Sequence, residues 1–184
     1  MRSGSLILLL TAAIFAAGCG GGGSTQTTPQ PTPTPAPTTV PIASGGTLTA
    51  RGSRGVIFTF TLGSGVPSGE SATISAYQFP PPCTGTGCTA VEQPVDAINI
   101  SVAPQPLAVA SVTSLGLTGV PTSTNVEPFL NDLSDAGAFT NFAIVPPSGG
   151  TLRVVDPGSS RPVTTLAPNH LYGFGLFPSN LPPQ

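Results

Sequence analysis

The chain has 184 residues, five basic and seven acidic, and only 7% of it is charged, against about 25% in ordinary soluble domains. Its surface must therefore consist largely of Thr, Ser, Asn, Gln, Pro and Gly, a neutral surface that does not steer ionic partners. All five basic residues are arginines (Arg2, Arg51, Arg54, Arg153 and Arg161) and they do not cluster, which excludes nucleic acid, because displacing phosphate counterions needs a basic face.

The chain opens with Arg2 as a positive start, Leu6 to Ala13 as a short apolar run, and the small residues Ala16, Ala17 and Gly18 directly before Cys19. That order is an export signal ending in a peptidase site. The apolar stretch Leu6–Ala17 is too short for a permanent transmembrane helix, which needs roughly 20 residues. Residues 16–19 resemble the lipobox of bacterial lipoproteins, whose usual pattern is Leu, a small residue, Gly or Ala, then Cys; Ala16 stands where Leu is commonest. The resemblance implies that residues 1–18 are a signal peptide removed on export. It also implies that Cys19 becomes the first residue, with diacylglycerol on its sulfur and often a third fatty chain such as palmitate on its amino group. At about 0.8 kcal/mol per buried methylene, two or three chains anchor a protein durably. The implied address is the cell envelope, and the implied partner is a membrane held through the lipid on Cys19. Gly20 replaces the Asp that commonly retains lipoproteins at the inner membrane, so the outer membrane is expected where the host has two.

Residues 19–41 read as the lipidated cysteine and a linker. Gly20–Gly23 with Ser24 form a flexible tether, and Pro29, Pro31, Pro33, Pro35, Pro37 and Pro41 alternate with Thr, Ala and Gln in a polyproline II style stalk. From Pro29 to Pro41 such a segment spans on the order of 40 Å, at roughly 3.1 Å per residue.

Residues 42–184 have the length of one domain, and the pattern predicts an all-β fold, an antiparallel β-sandwich. Val56, Phe58, Phe60 and Leu62 alternate with Ile57, Thr59 and Thr61, the period of a half-buried strand. Similar runs follow at Ala72–Ala76, Ile98–Val102, Leu107–Val112, Leu115–Leu117, Phe142–Ile144, Leu152–Val154 and Tyr172–Leu176, separated by turn clusters such as Gly63-Ser64-Gly65 and Asp156-Pro157-Gly158. One helical turn is predicted near Pro128–Leu133, with Pro128 in its first position. In the last strand, Gly173 and Gly175 leave one face nearly bare, which predicts either an aromatic neighbour packed over it or a groove for an extended ligand. In pattern alone, the domain resembles the immunoglobulin-like sandwiches often carried by lipoproteins, a likeness that conveys no function.

Lipidation of Cys19 would leave Cys83 and Cys88 in an oxidising compartment, where they are expected to form a disulfide. So small a loop gives a local staple of on the order of 2 kcal/mol. The chemistry of catalysis is thin. His170 is the single histidine, no G-x-S-x-G motif occurs, and the acidic cluster Glu127, Asn131, Asp132 and Asp135 lacks the spacing of a calcium loop. No catalytic residue, metal site or cofactor is therefore assigned. The expected function is a non-enzymatic, lipid-anchored interaction module of the envelope or surface, held off the membrane on its stalk, with an envelope protein or polymer as partner. The alternative is an exported hydrolase with a site assembled around His170 and one of Asp132, Asp135 or Asp156. A carbohydrate-binding version is disfavoured by the absence of Trp and the presence of only Tyr77 and Tyr172, since sugars stack on exposed rings.

Overall fold

Apolar residues that alternate with Thr, Ser and Asn turn one side of each strand inward, and the computed structural model shows where those sides meet. It describes residues 36–79, 93–135, 137–156 and 161–184. The described strands are β1 (Thr38–Pro41), β2 (Thr47–Arg51), β3 (Ile57–Leu62), β4 (Ser71–Ala76), β5 (Asp96–Ala103), β6 (Leu107–Ala108), β7 (Val112–Thr118), β8 (Asn125–Asp132), β9 (Phe139–Phe142), β10 (Gly149–Thr151), β11 (Val154–Asp156), β12 (Thr165–Leu166) and β13 (Tyr172–Ser179). They form a seven-stranded sheet in the order β1-β4-β5-β13-β8-β9-β11, a four-stranded sheet in the order β10-β7-β3-β2, and a small β12-β6 ladder. The ladders pairing these strands are antiparallel. The protein is thus all-β, an antiparallel sandwich, with seven and four strands in its sheets where the immunoglobulin constant-type pattern has four and three.

The two large sheets meet through rings. Phe58 and Phe60 of β3 stand edge-on to Phe174 of β13, with centroids 6.1 and 5.0 Å apart, and Phe142 of β9 meets the same ring at 6.1 Å. Such pairs add about 0.5–1.5 kcal/mol each beyond the area they bury. The inward residues predicted for β3, β4, β5 and β13 are buried: Phe58, Phe60 and Leu62; Ala72, Ile74 and Ala76; Ile98, Ile100 and Val102; Tyr172, Phe174 and Leu176.

Three local expectations are corrected. Pro128–Leu133 forms no helical turn, because Pro128 lies within β8, opposite Leu176. The β8–β9 ladder covers only Phe129–Asn131, so the missing proline N–H falls just beyond it, where a strand tolerates proline. Thr38–Pro41, expected at the end of the linker, form β1 on the edge of the larger sheet, paired with Ser71–Ile74. The Leu107–Val112 run is broken by a 3-10 turn at Val109–Ser111 between β6 and β7. Cys19, Cys83 and Cys88 lie outside the described residues. Among the described residues no helix is long and apolar enough to cross a membrane.

Candidate functional site

Three places combine polar chemistry with a defined geometry. The first is the contact between the β8–β9 and β12–β13 turns. Because Tyr172 pairs with Asp132 across β13 and β8, the turn leading into β13 meets the end of β8. His170 Nδ1 donates to Asp132 Oδ2 at 2.9 Å, and Asp132 Oδ1 accepts the backbone N–H groups of Ser134 and Asp135 at 2.8 and 3.1 Å. Asp132 is buried, whereas 41% of the His170 side chain is exposed. The structure thus brings together His170 and Asp132, one of the three carboxylates proposed from sequence. Asp135 instead pairs with Arg161 at 2.9 Å, and Asp156 closes β11, opposite Asn141.

An imidazole oriented by a buried carboxylate is half of a nucleophile-activating relay, which also needs a hydroxyl on the other ring nitrogen. The nearby hydroxyl of Ser134 instead accepts the Leu171 N–H at 3.0 Å, which ties the two turns together. Leu133 N–H to the Leu171 carbonyl, at 2.8 Å, adds to that tie. Among the described residues, no group of three or more His, Cys, Asp or Glu side chains could hold a metal ion.

Beneath His170 lies Tyr172, its ring 6.1 Å away and nearly parallel, its hydroxyl accepting the Ala167 N–H at 2.7 Å. Burial pushes the Tyr172 phenol above its ordinary value of 10.0, and the Asp132 carboxylate pushes the same way, while the Ala167 N–H opposes them. A raised folded value means that the neutral phenol's contribution to stability is complete below pH 10. It is lost as pH climbs through the folded value. The melting temperature of the wild type is therefore expected to fall more steeply above pH 10 than that of Tyr172→Phe. Parallel alkaline slopes in thermal melts would contradict this.

The second place is a clasp between the sheets. Asp96, fully buried at the start of β5, accepts the backbone N–H groups of Arg54 and Val56 at 3.1 and 2.9 Å through Oδ2, and its neighbour Ala97 N–H at 2.8 Å through Oδ1. Arg54 and Val56 belong to the β2–β3 turn, so one carboxylate joins the smaller sheet to the larger. A Cβ on Gly52 would lie 2.3 Å from that carboxylate, so only glycine leaves room for it. The Arg54 guanidinium sits 3.8 Å over the Phe79 ring and donates to the Pro94 carbonyl and to Gln93 Oε1. It thereby joins residues 79 and 93–94, the two flanks of segment 80–92.

The third place is the outer face of the seven-stranded sheet. The bare glycine face of β13 is covered by an aromatic neighbour, the first of the two predicted alternatives. A Cβ on Gly175 would lie 2.4 Å from the Phe129 ring, and Leu133 packs 3.6 Å from the same position on Gly173. Beside these covered glycines a groove of about 240 Å³ runs between Tyr77 and Phe79 on one side and Phe129 and Phe177 on the other. Phe129 and Phe177 stack at 4.7 Å and 25°, and beyond them a second depression of about 640 Å³ is lined by Phe139, Glu127, Asn131 and Asn141.

These outward phenylalanines were not anticipated as a surface. The one signal for them in the sequence was the Gly173-x-Gly175 gap, which predicted a ring without saying whose. The acidic cluster is likewise divided by strand alternation: Glu127 and Asn131 face outward and partly exposed, and Asp132 faces inward. No family model, no curated protein and no solved structure matches the chain.

Proposed function

We propose that the protein is a bacterial envelope lipoprotein that works by contact, not by turnover. In this reading Cys19 carries the lipid, residues 20–37 hold the sandwich off the membrane, and the outer face of the seven-stranded sheet is the working surface. The observation that carries the reading is that face, where partly exposed rings alternate with amides around two grooves. Rings flanked by a few directional polar groups are the usual make-up of a binding surface. The leader up to Cys19 and the Pro/Thr alternation support the anchor and the stalk. Gly20 favours the outer membrane in a two-membrane host, and an oxidising compartment favours pairing of Cys83 with Cys88.

Cys19→Ser tests the anchor. The variant is expected to lose labelled fatty-acid incorporation and to leave the membrane fraction, and a Cys19→Ser protein that remains lipidated and membrane-bound refutes it. The second reading, a hydrolase, is favoured by one observation, the 2.9 Å bond from His170 to Asp132. His170→Ala separates the two, because contact function survives the substitution and hydrolysis does not.

A further inference from the structure

Three cross-strand pairs stand on the outer face of β13, β8 and β9, each joining one ring to one polar side chain: Phe177 opposite Glu127, Phe129 opposite Asn141, and Phe139 opposite Asn131. All six side chains are partly exposed. The ring and the polar group change places from each pair to the next, so every ring is bordered by groups that accept or donate hydrogen bonds. We propose that this face binds a neutral saccharide chain, with the phenylalanine rings against the carbon–hydrogen faces of the sugars and Glu127, Asn131 and Asn141 on their hydroxyls. The proposal rests on the contact reading above and is independent of the lipid anchor.

Charge and hydrogen-bond chemistry select the ligand class. Glu127 is the one acidic or basic side chain among the described residues lining the two depressions, and the Arg54 guanidinium beside Phe79 is already held by the Pro94 carbonyl and Gln93 Oε1, which speaks for a neutral ligand over a polyanion. A proline-rich peptide is the other ligand that ring-lined grooves take, but it offers mainly carbonyl acceptors. Each proline lacks an N–H, so such a peptide brings fewer donors per residue to the Glu127 carboxylate than a sugar does. Sugar hydroxyls both donate and accept, and so satisfy a carboxylate and two amides together. The absence of Trp and the presence of only two tyrosines counted against sugar in the sequence, but the partly exposed Phe129, Phe139 and Phe177 supply the rings, and they have no polar tip that needs a partner. The larger depression, about 640 Å³, falls within the usual range for ligand sites.

The test uses the full-length lipidated protein in detergent. It is run through native gels cast with hydroxyethylcellulose, galactomannan or soluble starch, and titrated with chitohexaose by calorimetry. At least one of these probes is expected to bind, with Phe177→Ala and Glu127→Ala each weakening it by about tenfold or more at an unchanged melting temperature. Should Phe177→Ala melt early, Asn141→Ala reads the same face. Failure of all four probes to bind, or binding that survives Phe177→Ala and Glu127→Ala in folded protein, overturns the proposal. So does binding of a synthetic peptide of residues 25–41 in place of the sugars. If that peptide bound in a Phe177-dependent way, the contact reading would stand while the saccharide fell.

Discussion

Gly149→Ala is expected to cost about 3–5 kcal/mol of folding stability, the largest loss from adding a single methyl group at a described glycine. Gly149 has φ of +94°, and a Cβ built on it would lie 1.9 Å from the Leu115 carbonyl oxygen and 2.9 Å from Gly116 Cα. Those atoms are backbone of β7, paired with β10 through Gly149 and Gly116. No rotamer change relieves the overlap, so the ladder must open. For a chain of this size the melting temperature should drop by on the order of 10 °C. Gly69→Ala supplies the control, since Gly69 has φ of +77° with nothing within 4 Å of an added Cβ. It should lose only the left-handed strain, about 1–2 kcal/mol. Equal losses at both positions in denaturant titrations would show that strain, not the clash, governs Gly149.

Asp96→Ala should follow closely, at about 3–5 kcal/mol. The substitution leaves three N–H groups, of Arg54, Val56 and Ala97, without their acceptor, in a place where the carboxylate itself is wholly buried. Each stranded donor costs about 1–3 kcal/mol, less what water recovers by entering. Asp96→Asn keeps one acceptor oxygen and should recover part of the loss. A functional consequence follows, because the Arg54 turn that Asp96 holds also clamps Phe79, Gln93 and Pro94. These residues form one wall of the smaller groove. In Asp96→Ala, hydrogen exchange at residues 77–79 and 93–95 should quicken more than exchange across β8. Uniform change across the sheet, or a loss under about 1 kcal/mol, would remove the clasp from the account.

The two tests concern elements that differ in how far their sequence announced them. In β3 every second residue is a large apolar group and every other one is mostly Thr, so period and burial agree and the strand is legible. β2 offers only Leu48 and Ala50 as its buried side, too little contrast to stand out. β8 is illegible as a strand because both of its sides are mixed: Val126, Pro128, Leu130 and Asp132 turn inward, and Asn125, Glu127, Phe129 and Asn131 turn outward. With a proline and two acids in eight residues, local pattern favours a capped helical turn. The neighbouring strands override it, since β13 offers a partner along the whole of β8.

The candidate surface shows the same limit. Phenylalanine is by default a core residue, and by composition Phe129, Phe139 and Phe177 cannot be told from Phe58 or Phe174. Which of them face outward depends on register, because shifting a strand by one residue exchanges its two sides. His170 and Asp132, 38 residues apart, meet for the same reason.

By itself the sequence determined the all-strand character of the domain, through alternation, and the near absence of charge on its surface, through composition. Both are properties of short stretches or of the chain as a whole, and neither requires knowing which strands are neighbours. Tertiary structure alone decided which rings reach solvent, which carboxylate clasps the sheets and which one holds the histidine, because these depend on pairings between distant strands.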